Sequence, residues 1–85
     1  MPFIVKSSTE DTWSGSGPGD PEFPPLGREC VDDVTLAHRF DDFDEAIEEA
    51  QTYNQGAFVL SESGHLVGWT YPDGRMRRAA EAAHD

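Results

Sequence analysis

Hydrophobic and polar residues between Phe43 and Tyr53 recur with the period of an amphipathic helix. Apolar residues fall at offsets of 0, 3, 4, 7 and 10 from the first, and polar residues take the other side. Asp42 has the N-cap position with Glu45 three residues on, the spacing of a capping box, and Gly56 is suited to end the segment. The predicted buried side is Phe43, Ala46, Ile47, Ala50 and Tyr53, and the predicted solvent side is Asp44, Glu48, Glu49, Gln51 and Thr52.

Two β-prone runs follow the helix and flank Ser63-Gly64. A two-residue loop with glycine is typical of a tight hairpin, and it sets Phe58 opposite Trp69. The same register sets Leu60 opposite Val67. Because opposed residues point to the same side of a sheet, one face collects the large apolar side chains, and we predict that this face packs on the helix. Its members are Phe58, Leu60, Val67, Trp69 and Tyr71.

The rest of the chain completes a predicted α+β domain spanning residues 1–85. Residues 2–7 and 34–40 favour strands, and the Gly/Pro-rich stretch 9–30 is expected to be a flexible loop. The Ala-rich residues 75–85 predict a short terminal helix or tail. The predicted fold is thus a four-stranded, mainly antiparallel sheet in the order β-β-α-β-β, with one amphipathic helix on one face.

The charge of the chain is strongly negative and unevenly distributed. The formal net charge is −11, and residues 1–55 hold 13 acids against 3 bases. Such a field repels nucleic acid and anionic membranes and favours cationic partners, so direct binding of either polyanion is not expected. The single cysteine, Cys30, suits a reducing compartment, and no stretch has the apolar length of a membrane helix or signal peptide. We therefore predict a cytoplasmic protein.

Carboxylates crowd the middle third of the chain, with nine acids and one base between Glu29 and Glu49. Spaced negative charges of this kind are what a mimic of nucleic acid needs to occupy a basic groove. We predict a small non-enzymatic binding or inhibitor protein that engages a basic nucleic-acid-handling or host-defence protein, of the type carried by phages and mobile elements. The predicted partner-binding residues are Asp32, Asp33, Asp41, Asp44, Glu45, Glu48 and Glu49, with Trp13 and Phe23 from the loop.

Other chemistries find little support in the sequence. The three histidines and Cys30 lack metal-ligand spacing, the acidic run lacks the pattern of a calcium loop, and no phosphate-binding glycine loop precedes a helix. Acidic neighbours of Cys30 disfavour a reactive thiolate. Phe58, Trp69 and Tyr71 resemble a base-stacking platform, but basic residues are not associated with them in the sequence, which favours core packing. No enzyme activity, metal or cofactor is predicted.

Two alternatives remain open at this stage. The chain is also compatible with a domain that binds a small molecule or nucleotide, and a homodimer is compatible with either function. Acidity alone, with one lysine against 17 acids, would also suit a housekeeping domain from a halophilic or high-GC host.

Overall fold

The computed structural model describes residues 2–18 and 28–79, which form a small α+β domain with one α-helix and an antiparallel sheet. Six strands lie in the order β3-β2-β1-β4-β5-β6, and every neighbouring pair is antiparallel. The strands are β1 (Phe3–Ser7), β2 (Trp13–Pro18), β3 (Arg28–Val31), β4 (Ala57–Ser61), β5 (Leu66–Thr70) and β6 (Met76–Arg78), the helix is α1 (Phe43–Ala50), and Val34–Leu36 form a 3-10 turn.

The prediction of four strands is wrong: β2 and most of β3 lie within the predicted loop 9–30, and β6 lies within the predicted terminal helix or tail. Residues 19–27 of that loop lie outside the described part. The sequences of β2 and β3 carry little strand propensity, yet Trp13 pairs with Val31 and Ser14 pairs with Cys30. Small residues suit β2 because the side chains of β3 approach it closely: a Cβ added at Gly17 would lie 2.8 Å from the carboxyl carbon of Glu29. Backbone pairing and tight approach therefore override the Gly/Ser composition.

The predicted terminal helix or tail over residues 75–85 is replaced at Met76–Arg78 by β6, which pairs with β5, and Ala79 after it is helical. The turn between them is closed by the Gly74 N–H, which donates to the Tyr71 carbonyl at 2.9 Å, and Gly74 has φ +89°. This turn directs the chain back along β5 as β6. Residues 80–85 lie outside the described part, so the rest of that prediction is not assessed.

The predicted strand 34–40 is replaced by a turn followed by a short extended segment. Asp33 caps the 3-10 turn by accepting a hydrogen bond from the Thr35 N–H at 2.9 Å. The chain then runs between β1 and β2 and makes two isolated antiparallel bridges, one from Phe40 to Phe3 and one from Ala37 to Gly15. The segment fills the wedge where β2 diverges from β1.

The β4–β5 hairpin has the predicted pairing of Phe58 with Trp69, but the loop differs. Ser61 N–H donates to the His65 carbonyl at 2.8 Å, so the loop holds three residues and Gly64 has φ +95°. A bulge at Val67 then shifts the register by one, and Leu60 pairs with Leu66 instead of Val67. The three-residue loop shifts the register by one residue, and the bulge shifts it back by one, so Phe58 still pairs with Trp69.

The helix begins as predicted. The Asp42 side chain accepts from the Asp44 N–H at 3.1 Å, and Asp44 and Glu45 add negative charge at the positive end of the helix dipole. The helix ends at Ala50, and Tyr53 follows in the turn that leads to Gly56. Within the described residues, no helix combines the length and apolar content needed to cross a bilayer.

The helix packs on the face of the sheet opposite to the predicted one, although the bulge residue Val67 of the predicted face also packs against the core. Val5 pairs with Val59, and both are fully buried beneath Ala46 and Ala50. The aromatic rings that fill this layer come from outside the hairpin, namely Phe40, Phe43 and Tyr53, so the strands beneath them need small side chains. The helix-side residues of β4 and β5 include Ala57, Val59, Ser61, Gly68 and Thr70.

Thr70 gives a direct test of how the helix end is joined to the sheet. Its buried hydroxyl accepts from the Ala57 N–H at 2.9 Å and donates to the Ala50 carbonyl at 3.1 Å. We expect Thr70→Val, which keeps the shape, to lower the free energy of unfolding by about 1–3 kcal/mol, because a buried N–H loses its acceptor. Thr70→Ser keeps the hydroxyl and should cost less. Urea unfolding of both variants measures this, and equal losses would contradict the explanation.

Candidate acidic groove

A groove of about 400 Å³ runs along one flank of α1 and is lined by Phe40, Glu45, Glu48, Glu49 and Thr52. The two glutamates three and four residues after Glu45 share its flank of the helix. Phe40 is held beside them by two backbone hydrogen bonds to Phe3, of 2.7 and 2.8 Å. Three carboxylates and an aromatic ring are thereby brought to one concave surface.

Glu49 lies at the inner side of this groove and is buried, so its predicted position on the solvent side is wrong. Its Oε2 accepts a hydrogen bond from Ser14 Oγ at 2.9 Å, and Ser14 is fully buried in β2. Burying a carboxylate is costly unless a donor meets it. The Ser14 hydroxyl is that donor, and it ties α1 to β2.

Tyr53 extends this network behind the groove. Its hydroxyl lies 2.8 Å from Ser14 Oγ and 3.8 Å from Cys30 Sγ. Because the single hydroxyl proton of Ser14 goes to Glu49, Tyr53 is the donor to Ser14. Burial raises the pKa of Tyr53 well above its usual 10.0, and the nearby Cys30 and Glu49 act in the same direction. The phenol therefore stays neutral beside the carboxylate.

The other predicted partner-binding acids do not line the groove. Asp44 lies on the other flank of α1, with its Oδ1 3.7 Å from Arg78 Nη2. Asp32 and Asp33 are in the exposed connection after β3, and hydrogen bonds from the hydroxyl and then the N–H of Thr35 lower the pKa of Asp33. Asp41 is exposed just before the helix cap.

The two predicted aromatic contacts also stand apart from this site. Trp13 pairs with Lys6 and lies on the face of the sheet away from α1. Phe23 lies outside the described residues. The structure therefore brings together three of the nine predicted residues, namely Glu45, Glu48 and Glu49.

Phe40, Thr52 and Ser14 are the parts of the site that the sequence did not indicate. The i, i+3, i+4 spacing of the glutamates was visible, and it could have suggested a shared flank. Ser14 lies in a stretch without a clear pattern, and its contact with Glu49 spans 35 positions along the chain. Only the tertiary fold reveals it.

A second depression, of about 440 Å³, is lined by Tyr71, Arg75, Met76 and Arg77. Its charge is opposite to that of the groove. Arg75 is already engaged there, since its Nε lies 2.7 Å from Asp73 Oδ2 and its guanidinium carbon 5.3 Å from the centroid of the Tyr71 ring.

The chemistry of the acidic groove is that of a cation site. Its side chains offer carboxylate oxygens, which suit a cation. Across residues 2–18 and 28–79, no set of three or more His, Cys, Asp and Glu side chains is arranged to hold a metal ion. No protein-family model, curated protein or solved structure matches this chain, so the groove is judged on its geometry alone.

Tyr53 predicts a distinct loss of stability in alkali. Below pH 10 the phenol is protonated in both the folded and the unfolded chain. Above pH 10.0 the unfolded chain releases this proton while the fold retains it, so the free energy of unfolding should fall by up to about 1.4 kcal/mol per pH unit. Tyr53→Phe should be less stable at neutral pH, and above pH 10 its free energy of unfolding should fall less steeply with pH than that of the wild type. Urea unfolding between pH 8 and 11 measures it, and identical slopes for the two proteins would contradict the assignment.

Proposed function

We propose that this chain is a non-enzymatic binding protein whose acidic groove receives a lysine or arginine side chain of a basic protein. The observation that carries the proposal is the convergence of Glu45, Glu48 and Glu49 beside Phe40. The carboxylates attract the cationic head of lysine or arginine, and the largely buried Phe40 forms an apolar wall beside them. The volume is large enough for the end of one long side chain and its waters.

The whole-chain charge supports the same class of partner. A net charge of −11 attracts cationic surfaces at a distance and raises association rates at low ionic strength. Asp41 is exposed near the start of α1 and adds negative charge beyond the groove, whereas Asp44 lies on the other flank, beside Arg78, and remains a prediction as a contact. Asp32, Asp33, Trp13 and Phe23 remain predictions as further contacts.

Simple adaptation to a saline or high-GC host accounts for exposed acids but less well for Glu49. A coat of hydrated carboxylates needs no acid directed inward and hydrogen-bonded to a buried serine. Here Glu49 keeps a carboxylate at the inner wall of a concave site. That placement favours an electrostatic role in recognition over solvation alone.

Proteins that handle nucleic acids are the class richest in surfaces of the required chemistry, because they neutralise phosphates with lysine and arginine. The sharpest form of the proposal is therefore a mimic of nucleic acid that occupies such a surface and blocks it. An inhibitor of a host nucleic-acid-handling or defence protein, of the type carried by phages, would act in this way.

Removing two groove charges should weaken binding more than removing two charges elsewhere. We expect Glu45→Gln/Glu48→Gln to reduce affinity for a Lys/Arg-rich peptide about tenfold at 0.1 M salt, and to flatten its salt dependence. Glu10→Gln/Glu62→Gln is the matched control, because both residues are exposed, lie outside the groove and change the net charge equally. Isothermal titration calorimetry of the three proteins measures the difference.

The same pair of variants identifies a natural partner and separates the alternatives. Proteins captured by the wild type at 0.1 M salt, released at 0.5 M and lost with the groove variant alone would support the proposal. Equal weakening by both double variants would show that only bulk charge matters. Folding that requires molar salt would favour host adaptation instead.

A further inference from the structure

One cross-strand row on the sheet face away from α1 alternates aromatic and cationic residues. Trp13 pairs with Lys6, Lys6 with Phe58, Phe58 with Trp69, and Trp69 with Arg77, across five neighbouring strands. Directly opposed residues of antiparallel strands project to the same side. The row, which we call the W-K-F-W-R row, is therefore continuous: Trp13, Lys6, Phe58, Trp69 and Arg77.

The side of the sheet that carries this row is only partly covered. The three aromatic residues are half-buried, Arg77 is exposed, and Leu66, which opposes half-buried Leu60 on this side, is 45% exposed. Ile4, which pairs with Leu60 from the other neighbouring strand, is buried. Within residues 2–18 and 28–79, the one α-helix packs on the other side. The two sides of the sheet thus differ: one is sealed by α1, and the other presents aromatic and aliphatic surface.

We propose that the W-K-F-W-R row is the centre of a symmetric homodimer interface. When a second copy of the row is laid against it in the opposite order, aromatic and cationic residues face each other. A two-fold axis parallel to β4 at Phe58 sets Lys6 against Trp69 of the partner subunit and Arg77 against Trp13 of the partner subunit. Phe58 then meets Phe58 of the partner subunit, so every cation faces an aromatic ring.

The other face-to-face orientation is unfavourable. A two-fold axis along the row would set each residue against its own copy, and Lys6 and Arg77 would then each face a like charge. The order of side chains therefore selects the axis along the strands. That orientation also falls within the aligned class of sheet packing, in which strand directions lie within about 30° of each other and the sheets are about 10 Å apart.

The existing contacts of the row allow this arrangement. Lys6 Nζ lies 5.8 Å from the centroid of Trp13, so the row already uses cation–π contact within one chain. Lys6 also lies 3.3 Å from Asp11, whose side chain is 95% exposed, and an exposed pair of this kind contributes little. Lys6 is consequently free to exchange one weak partner for an aromatic ring.

Repulsion between the acids of the two α1 helices does not prevent the association. The acids of α1 lie behind the sheet, so two helix layers would be roughly 30 Å apart with layers spaced about 10 Å. The Debye length is about 8 Å at 0.15 M salt, which screens charges across that separation. A polyanion is a poorer occupant, because strong binding of nucleic acid needs many phosphate contacts and the row supplies two cations.

The size of the face predicts a weak dimer. Five strands at about 4.8 Å and about 17 Å of strand length give roughly 400 Å² in projection. Because protruding side chains add to the projected area, two subunits would together bury about 800–1,200 Å², at the lower end of specific interfaces. We therefore expect a dissociation constant in the micromolar range, with both acidic grooves directed outward.

Sedimentation velocity of the full chain between 5 and 500 µM at 0.15 M salt tests the proposal. The wild type should shift from monomer to dimer over this range. Arg77→Glu should raise the dissociation constant by about tenfold or more, because two cation–π contacts are lost per dimer. Arg78→Glu is the matched control: it changes the charge equally in the same strand, but Arg78 lies over Phe43 on the helix side, 4.3 Å from the ring centroid.

Each outcome decides the proposal. Dimerisation that is weakened by Arg77→Glu and not by Arg78→Glu, with circular dichroism showing all proteins folded, supports it. A wild type that stays monomeric to 500 µM overturns it, as does equal weakening by both variants. Monomers whose tryptophan fluorescence is quenched by a thymidine oligonucleotide would identify a base-stacking surface and also overturn it. Glu45→Gln/Glu48→Gln should dimerise like the wild type, which separates this test from that of the groove.

Discussion

Phe43 and Gly68 meet where α1 crosses β5, and a Cβ added at Gly68 would lie 2.8 Å from the ring of Phe43 and 2.9 Å from the carbonyl oxygen of Arg77. The sheet side beneath the helix has no room for large hairpin residues, because the aromatic rings of the helix layer already fill it. Since strand residues alternate, the same choice sends Phe58 and Trp69 to the other side. The close contact of Phe43 with Gly68 therefore favours small strand residues under the helix and places the large ones, Phe58 and Trp69, on the other side of the sheet.

The position of Glu49 also depends on the sheet, through Ser14 of β2. α1 is two turns long, and its acidic flank would be mobile if only the apolar flank were anchored. The hydrogen bonds from Tyr53 to Ser14 and from Ser14 to Glu49 attach that flank to β2. A rigid wall of the groove therefore depends on a serine in a strand of glycines and serines. The polar network holds the acidic flank in place as the apolar core holds the helix.

The sequence predicted what is local and missed what depends on long-range packing. The Asp42 cap and the Phe58–Trp69 pair are confirmed because capping chemistry and hairpin closure act over a few residues. The packing side of the hairpin was wrong because apolar volume was counted on the strands alone, without Phe40 and Phe43 supplying the core from the other layer. β2 and β3 were missed because their pairing comes from backbone fit around glycines, which carries no side-chain period. For the same reason Ser14 could not be connected to Glu49 in advance.

The two surfaces of this protein follow from a single separation of charge. Acids of α1 line the groove on one side of the molecule, while Lys6 and Arg77 lie among aromatic rings on the other side of the sheet. Pairing of the sheet faces would leave two acidic grooves on opposite outer sides of one assembly. Two linked sites bind a repetitive or two-fold partner far more tightly than one, provided that the partner spans both. A weak dimer would then suffice, because a partner that holds both grooves also holds the two subunits together.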